Sequence, residues 1–111
     1  MKSYYVDEIS TSDLDKITTY LNENAMESGM ERLFWIEMPL DNLTMVQSEH
    51  YSRCKPYRFA VETGDTWLRA EFFVRTSVKF RCDCNGYCNE KQNEYIMSYI
   101  DGMLNKLDIR T

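Results

Sequence analysis

The stretch YRFAVETGDTWLRAEFFV, Tyr57 to Val74, alternates apolar and polar residues on both sides of Gly64-Asp65. Two alternating runs around such a pair predict a β-hairpin, because glycine reaches positive φ without steric cost. A two-residue loop sets Thr63 against Thr66, Val61 against Leu68, Phe59 against Ala70 and Tyr57 against Phe72. On the other side Arg58 meets Glu71 and Glu62 meets Trp67. Apolar residues meet apolar ones and one cation meets a carboxylate, so this register is self-consistent. A turn around Thr76-Ser77 then leads into a third strand, Val78–Cys84. A three-residue connection pairs Val74 with Val78, Phe72 with Phe80, Ala70 with Cys82 and Leu68 with Cys84, keeping one face apolar.

Outward from this β-meander, 57–84, the remaining elements follow from period and punctuation. Ser3–Ile9 has the composition of an edge strand, and Leu33–Met38 is an apolar run of strand length ended by Pro39. Leu14, Ile17 and Leu21 recur at helical spacing after a Ser12/Asp15 capping pair, which predicts a helix over 12–25 with Gly29 as its stop. Thr44-Met45-Val46-Gln47 has the capping-box form and opens a helix over 44–54, which Pro56 keeps short. Tyr95, Ile96, Tyr99, Ile100, Met103, Leu104 and Leu107 make one apolar stripe, hence a helix over 90–107. The order is β-α-β-α-β-β-β-α. Antiparallel strands with helices to one side give an α+β fold with a four- to five-stranded sheet backed by the last helix.

With 111 residues, residues 1–111 fit one globular domain able to bury a core without covalent staples. No apolar run approaches the roughly 18–20 residues that span a bilayer, and MKSYYVDEIS lacks the apolar segment of a signal peptide. The expected compartment is therefore the cytoplasm, where cysteines stay reduced. Charge is uneven: residues 1–52 hold ten acidic and three basic side chains, whereas residues 53–83 hold seven basic and four acidic. A net charge of −5 argues against nucleic acid or an anionic membrane as partner.

Three of the four cysteines fall in RCDCNGYC, Arg81 to Cys88. In a strand, Cys82 and Cys84 share a face with their alpha carbons ~6.6 Å apart, close enough for two thiolates on one ion. The turn at Asn85-Gly86-Tyr87 brings Cys88 round as a third, Cys54 makes a fourth, and His50, one helical turn before Cys54, is a substitute. Four thiolates, or three and an imidazole, are ligand sets of zinc. The same residues also read as core: Cys82 and Cys84 continue the apolar stripe of Val78 and Phe80, and a buried thiol packs as a small hydrophobe. A thiol-redox role falls on Cys88, at the start of a helix. No nucleophile elbow, phosphate loop, metalloprotease helix or dinucleotide fingerprint is present, and no catalytic residues are assigned.

The non-core parity of the strands carries Trp67, Arg69, Glu71, Phe73 and Arg75, joined by Arg58, Lys79 and Arg81 and, by the same parity, Trp35. Aromatic and arginine side chains on an uncovered sheet face invite a partner. The leading expectation is a non-enzymatic binding module that holds a protein or peptide through Trp35, Arg58, Trp67, Arg69, Phe73 and Arg75, or self-associates there. A helix folded over this face, making it a second small core, is the competing outcome. A zinc-binding or metal-sensing domain built from His50, Cys54, Cys82, Cys84 and Cys88 is the alternative function.

Overall fold

The computed structural model describes residues 2–26, 28–78 and 81–111. Along the chain lie β1 (Ser3–Val6), α1 (Thr11–Asn24), β2 (Leu33–Glu37), a 3-10 turn (Leu40–Asn42), α2 (Met45–Glu49), α3 (Tyr51–Cys54), β3 (Tyr57–Thr63), β4 (Leu68–Glu71), β5 (Phe73–Thr76), β6 (Gly86–Tyr87) and α4 (Glu90–Lys106). The fold is α+β, as expected, and the six strands among the described residues, where four or five were expected, form one antiparallel sheet. The strand β3 is central. One of its edges carries β2, from Leu33 opposite Glu62 to Glu37 opposite Arg58. Its other edge is shared by β4 and β5, with β1 outside β4 and β6 outside β5.

Local chemistry accounts for the ends of these elements. The Ser10 hydroxyl accepts from the Asp13 N–H and starts α1, two residues before the expected Ser12 cap. Thr44 and Gln47 form the anticipated capping box of α2. Asn89 and Gln92 form a second box at α4. The expected helix over 44–54 is broken at His50, which ends α2 and precedes α3.

The hairpin register differs from the expected one by two residues. Thr63 lies opposite Leu68 and Val61 opposite Ala70, so Gly64 to Trp67 form a four-residue connection closed by the Gly64 N–H on the Trp67 carbonyl at 2.8 Å. The Trp67 indole packs against Gly64 and leaves no room for a β-carbon there, which fixes the glycine. A shift of two keeps every side chain on its face, so the core parity survives. Phe72 then interrupts the strand as a bulge, its N–H bonded to Lys2 and its carbonyl to Cys88. Beyond the bulge Arg58 faces Arg75, not Glu71.

The third strand, Val78–Cys84, does not form in its described part. Cys82 to Asn85 make a turn closed by the Asn85 N–H on the Cys82 carbonyl at 3.1 Å, while Lys79 and Phe80 lie outside the described residues. The positions assigned to Cys82 and Cys84 beside Ala70 and Leu68 are occupied by β1, which sets Tyr4 against Ala70 and Val6 against Leu68. The strand that pairs with β5 is instead Gly86–Tyr87.

One face of the sheet meets the helices. Phe34, Ile36, Phe59, Val61, Leu68, Ala70 and Val74 pack with Leu14, Ile17 and Leu21 of α1 and with Ile96, Ile100, Met103 and Leu104 of α4 in a single core. Phe59 is fully buried and packs nearly perpendicular to Tyr95 and Tyr99, with ring centroids 6.4 and 6.1 Å away. No helix among the described residues is long and apolar enough to cross a membrane.

Candidate metal centre

The break at His50 sets the geometry of the site. His50 stays within one helical turn of Cys54, whose N–H bonds to the His50 carbonyl at 3.0 Å, so both side chains leave the same side of α3. Cys54 ends that helix, and its carbonyl accepts the Thr76 hydroxyl of β5. Across from it, the Cys82–Asn85 turn is pinned to the same strand by the Asn85 side chain, which accepts the Thr76 N–H at 2.8 Å. Thr76 thus holds both halves of the site together.

Into this space project the His50 imidazole and the thiols of Cys54, Cys82 and Cys84, their ligand atoms all within 4.8 Å of one another. The sulfur of Cys82 lies 3.8 Å from that of Cys54 and 3.2 Å from that of Cys84. His50 Nδ1 lies 3.5 Å from Cys82 Sγ and 3.1 Å from Cys84 Sγ. For comparison, a tetrahedron with Zn–S of about 2.3 Å and Zn–N of about 2.0–2.1 Å has edges of about 3.8 Å between sulfurs and about 3.6 Å from sulfur to nitrogen. Four of the six separations, 3.1 to 3.8 Å, are thus at or below those edges, and the remaining two do not exceed 4.8 Å.

Their environments differ. Cys54 and Cys84 are buried, whereas Cys82 and His50 are half-buried. The Cys84 backbone N–H, with the neighbouring thiol and imidazole, lowers the Cys82 thiol below the ordinary range. Burial, foremost, raises that of Cys84. Around them a polar frame is fully bonded. The Gln47 side-chain amide donates to the Cys84 carbonyl at 3.0 Å, and Gln92 donates to Gln47 Oε1 at 2.9 Å. The Tyr57 hydroxyl lies 2.9 Å from the Gln47 carbonyl and 3.2 Å from Cys84 Sγ. Each buried polar group of this frame finds a partner, as low-dielectric surroundings demand.

Of the five residues proposed as metal ligands, His50, Cys54, Cys82 and Cys84 come together, with His50 as a full member where the sequence reading had held it as a substitute. Cys88 stands outside the group. It is half-buried against the core just before Asn89, and burial pushes its thiol up to about 12. Burial therefore disfavours the thiolate form that a redox role at Cys88 would use. Sequence reasoning did not assign Tyr57, Thr76, Asn85 or Gln92 to the site; Gln47 and Gln92 each carry a signal, as the last residue of a capping box.

The partner-binding candidates fall into two groups on the other face of the sheet. The Arg58 guanidinium stacks on Trp35 at 4.1 Å, and that of Arg75 lies 6.0 Å from Trp35 and 4.6 Å from Phe73. Trp67 sits 6.0 Å from Arg69 and 5.8 Å from Tyr5, while Arg69 pairs with Glu62. The buried side chains of α1 and α4 belong to the core on the opposite side. The chain matches no protein-family model, no curated protein and no solved structure.

Proposed function

We propose that the protein is a zinc-binding module whose His50, Cys54, Cys82 and Cys84 hold one ion as a structural centre. The observation that carries this reading is the convergence of three sulfurs and one imidazole nitrogen within 4.8 Å. Soft thiolates with an imidazole suit zinc over magnesium, calcium or manganese. Four protein ligands leave no open position for water or substrate, which is the mark of a structural site. The ion would cross-link α3 to the Cys82–Asn85 turn and so brace the end of β5. Protein purified without added zinc is expected to carry one zinc per chain, retained in Cys88→Ser and lost in Cys84→Ser. Metal below a tenth of an equivalent in the parent protein, or unchanged metal in Cys84→Ser, rejects the reading.

A second reading concerns the opposite face, and a specific observation favours it. Arg58 and Arg75 stand directly opposite each other, and both approach the Trp35 ring. Arg75 has the Glu71 carboxylate at 3.2 Å, whereas Arg58 Nε is buried without a hydrogen-bond partner among the described residues. Like charges opposed across strands cost stability, and a carboxylate from outside would offset that cost. We propose that this face docks an acidic peptide segment of another protein. A fluorescein-labelled glutamate-rich peptide is expected to bind the parent at least about tenfold more tightly than Arg58→Gln, since truncating one side of a charge pair costs about 2 kcal/mol or more. Equal binding to both, or self-association that Arg58→Gln abolishes, overturns the acidic-peptide reading.

A further inference from the structure

Among the described residues, Tyr57 brings a buried hydroxyl within hydrogen-bond reach of a ligand sulfur. Its side chain is 1% exposed, at the start of β3, on the core face of the sheet. The hydroxyl has two acceptors within reach, the Gln47 carbonyl at 2.9 Å and Cys84 Sγ at 3.2 Å. A phenol has one proton to donate, so the two acceptors compete for it. While Cys84 is a neutral thiol, the carbonyl is the better acceptor. Once Cys84 ligates metal it is a thiolate, and hydrogen bonds to ionised acceptors are the stronger ones.

The rest of the frame is built so that this choice can be made without movement. Gln47 Oε1 accepts from the Thr44 N–H at 3.0 Å and from Gln92 at 2.9 Å, which fixes its amide and leaves Nε2 for the Cys84 carbonyl. Gln47 and Cys84 are therefore locked to each other, and a small rotation of the phenol O–H is enough to pass the proton between acceptors. Three thiolates and one imidazole around Zn2+ leave a net charge of −1 in a largely buried site. That excess charge needs a donor, and Cys84, 2% exposed, is a buried sulfur that the Tyr57 hydroxyl reaches.

We propose that Tyr57 is the positioning residue of the centre: its phenol donates to the Cys84 thiolate in the metal-bound protein and sets how firmly that ligand keeps the ion. This inference rests on the zinc reading above. Tyr57 touches no metal itself and acts through Cys84, as outer hydrogen-bond partners of metal ligands do.

The test is Tyr57→Phe, which keeps the ring and removes the donor. Zinc content is expected to stay at one per chain, with far-ultraviolet circular dichroism unchanged. Transfer of zinc to a competing chelator is expected to quicken about tenfold, within the range seen when outer partners are removed. With cobalt in place of zinc, the thiolate-to-metal charge-transfer band is expected to move to lower energy, since a sulfur without its donor gives up electron density more readily. A purely structural role for Tyr57 would not move that band. Parental zinc content with parental release rate and band position in Tyr57→Phe overturns the inference while leaving the zinc reading intact; absence of zinc from the parent overturns both. Should Tyr57→Phe fail to fold, the parent loaded with cadmium-113 decides the matter by nuclear magnetic resonance. A through-bond coupling between the ion and the Tyr57 hydroxyl proton supports the inference. A Tyr57 hydroxyl proton that shows no such coupling, or that exchanges with solvent too fast to be seen, overturns it.

Discussion

Chelation of zinc is expected to lower the midpoint of thermal unfolding by roughly 10–20 °C, reversibly on re-addition of the metal. An ion that binds only the folded chain at about a thousandfold excess over its dissociation constant adds about 4 kcal/mol. Each kilocalorie moves the midpoint of a domain of this size by about 4 °C. The loss concentrates where the ligands are: α3 and the Cys82–Asn85 turn are short elements held to β5 by the Thr76 and Asn85 contacts. Without the ion the four groups remain as a hydrogen-bonded thiol cluster, a weaker bond than coordination. Acid acts in the same direction. Three thiols must give up protons to bind the metal, so affinity falls as pH falls, and burial, which raises the Cys84 thiol, adds to that cost. A differential scanning measurement with and without chelator reads the effect directly. An unchanged midpoint would mean that the centre does not stabilise the fold.

Phe59→Ala is expected to cost about 3–5 kcal/mol, measured by urea denaturation. Phe59 is fully buried in the middle of β3, so its removal opens a cavity between the sheet and α4. It also deletes both edge contacts with Tyr95 and Tyr99, each of which adds about 0.5–1.5 kcal/mol beyond burial. Against a total stability of about 5–15 kcal/mol, such a loss unfolds a large share of the molecules unless the metal centre holds them. A cost under about 1 kcal/mol, the range of tolerated core swaps, would show that Phe59 does not anchor the helix to the sheet.

These two sites differ in how far the sequence revealed them, and the reason is physical. The core face was legible because a strand has a period of two: a hairpin register wrong by two residues still puts Phe59, Val61, Leu68 and Ala70 on the same side. The α4 stripe and the Thr44 box were legible because each is decided within a few residues. Which strand lies beside β4 was not. Tyr4 and Val6, like Cys82 and Cys84, are paired apolar residues two apart, and either pair satisfies the burial pattern against Ala70 and Leu68. The choice is made by long-range packing and by the bulge at Phe72, which no short motif announces. Losing that strand turned RCDCNGYC from a ladder into a turn. The turn frees Cys82 and Cys84 to face Cys54 and His50, and it leaves Cys88 behind at the start of α4. His50 looked like a spare ligand because the helix break that aims it has no sequence mark.

X-ray absorption at the zinc edge of the protein as purified decides whether the centre is what its geometry suggests. The expected result is a four-coordinate zinc with three sulfurs at about 2.3 Å and one imidazole nitrogen at about 2.0–2.1 Å. A shell of four sulfurs would bring in Cys88, a shell of light atoms would exclude the thiols, and either would contradict the assignment to His50, Cys54, Cys82 and Cys84.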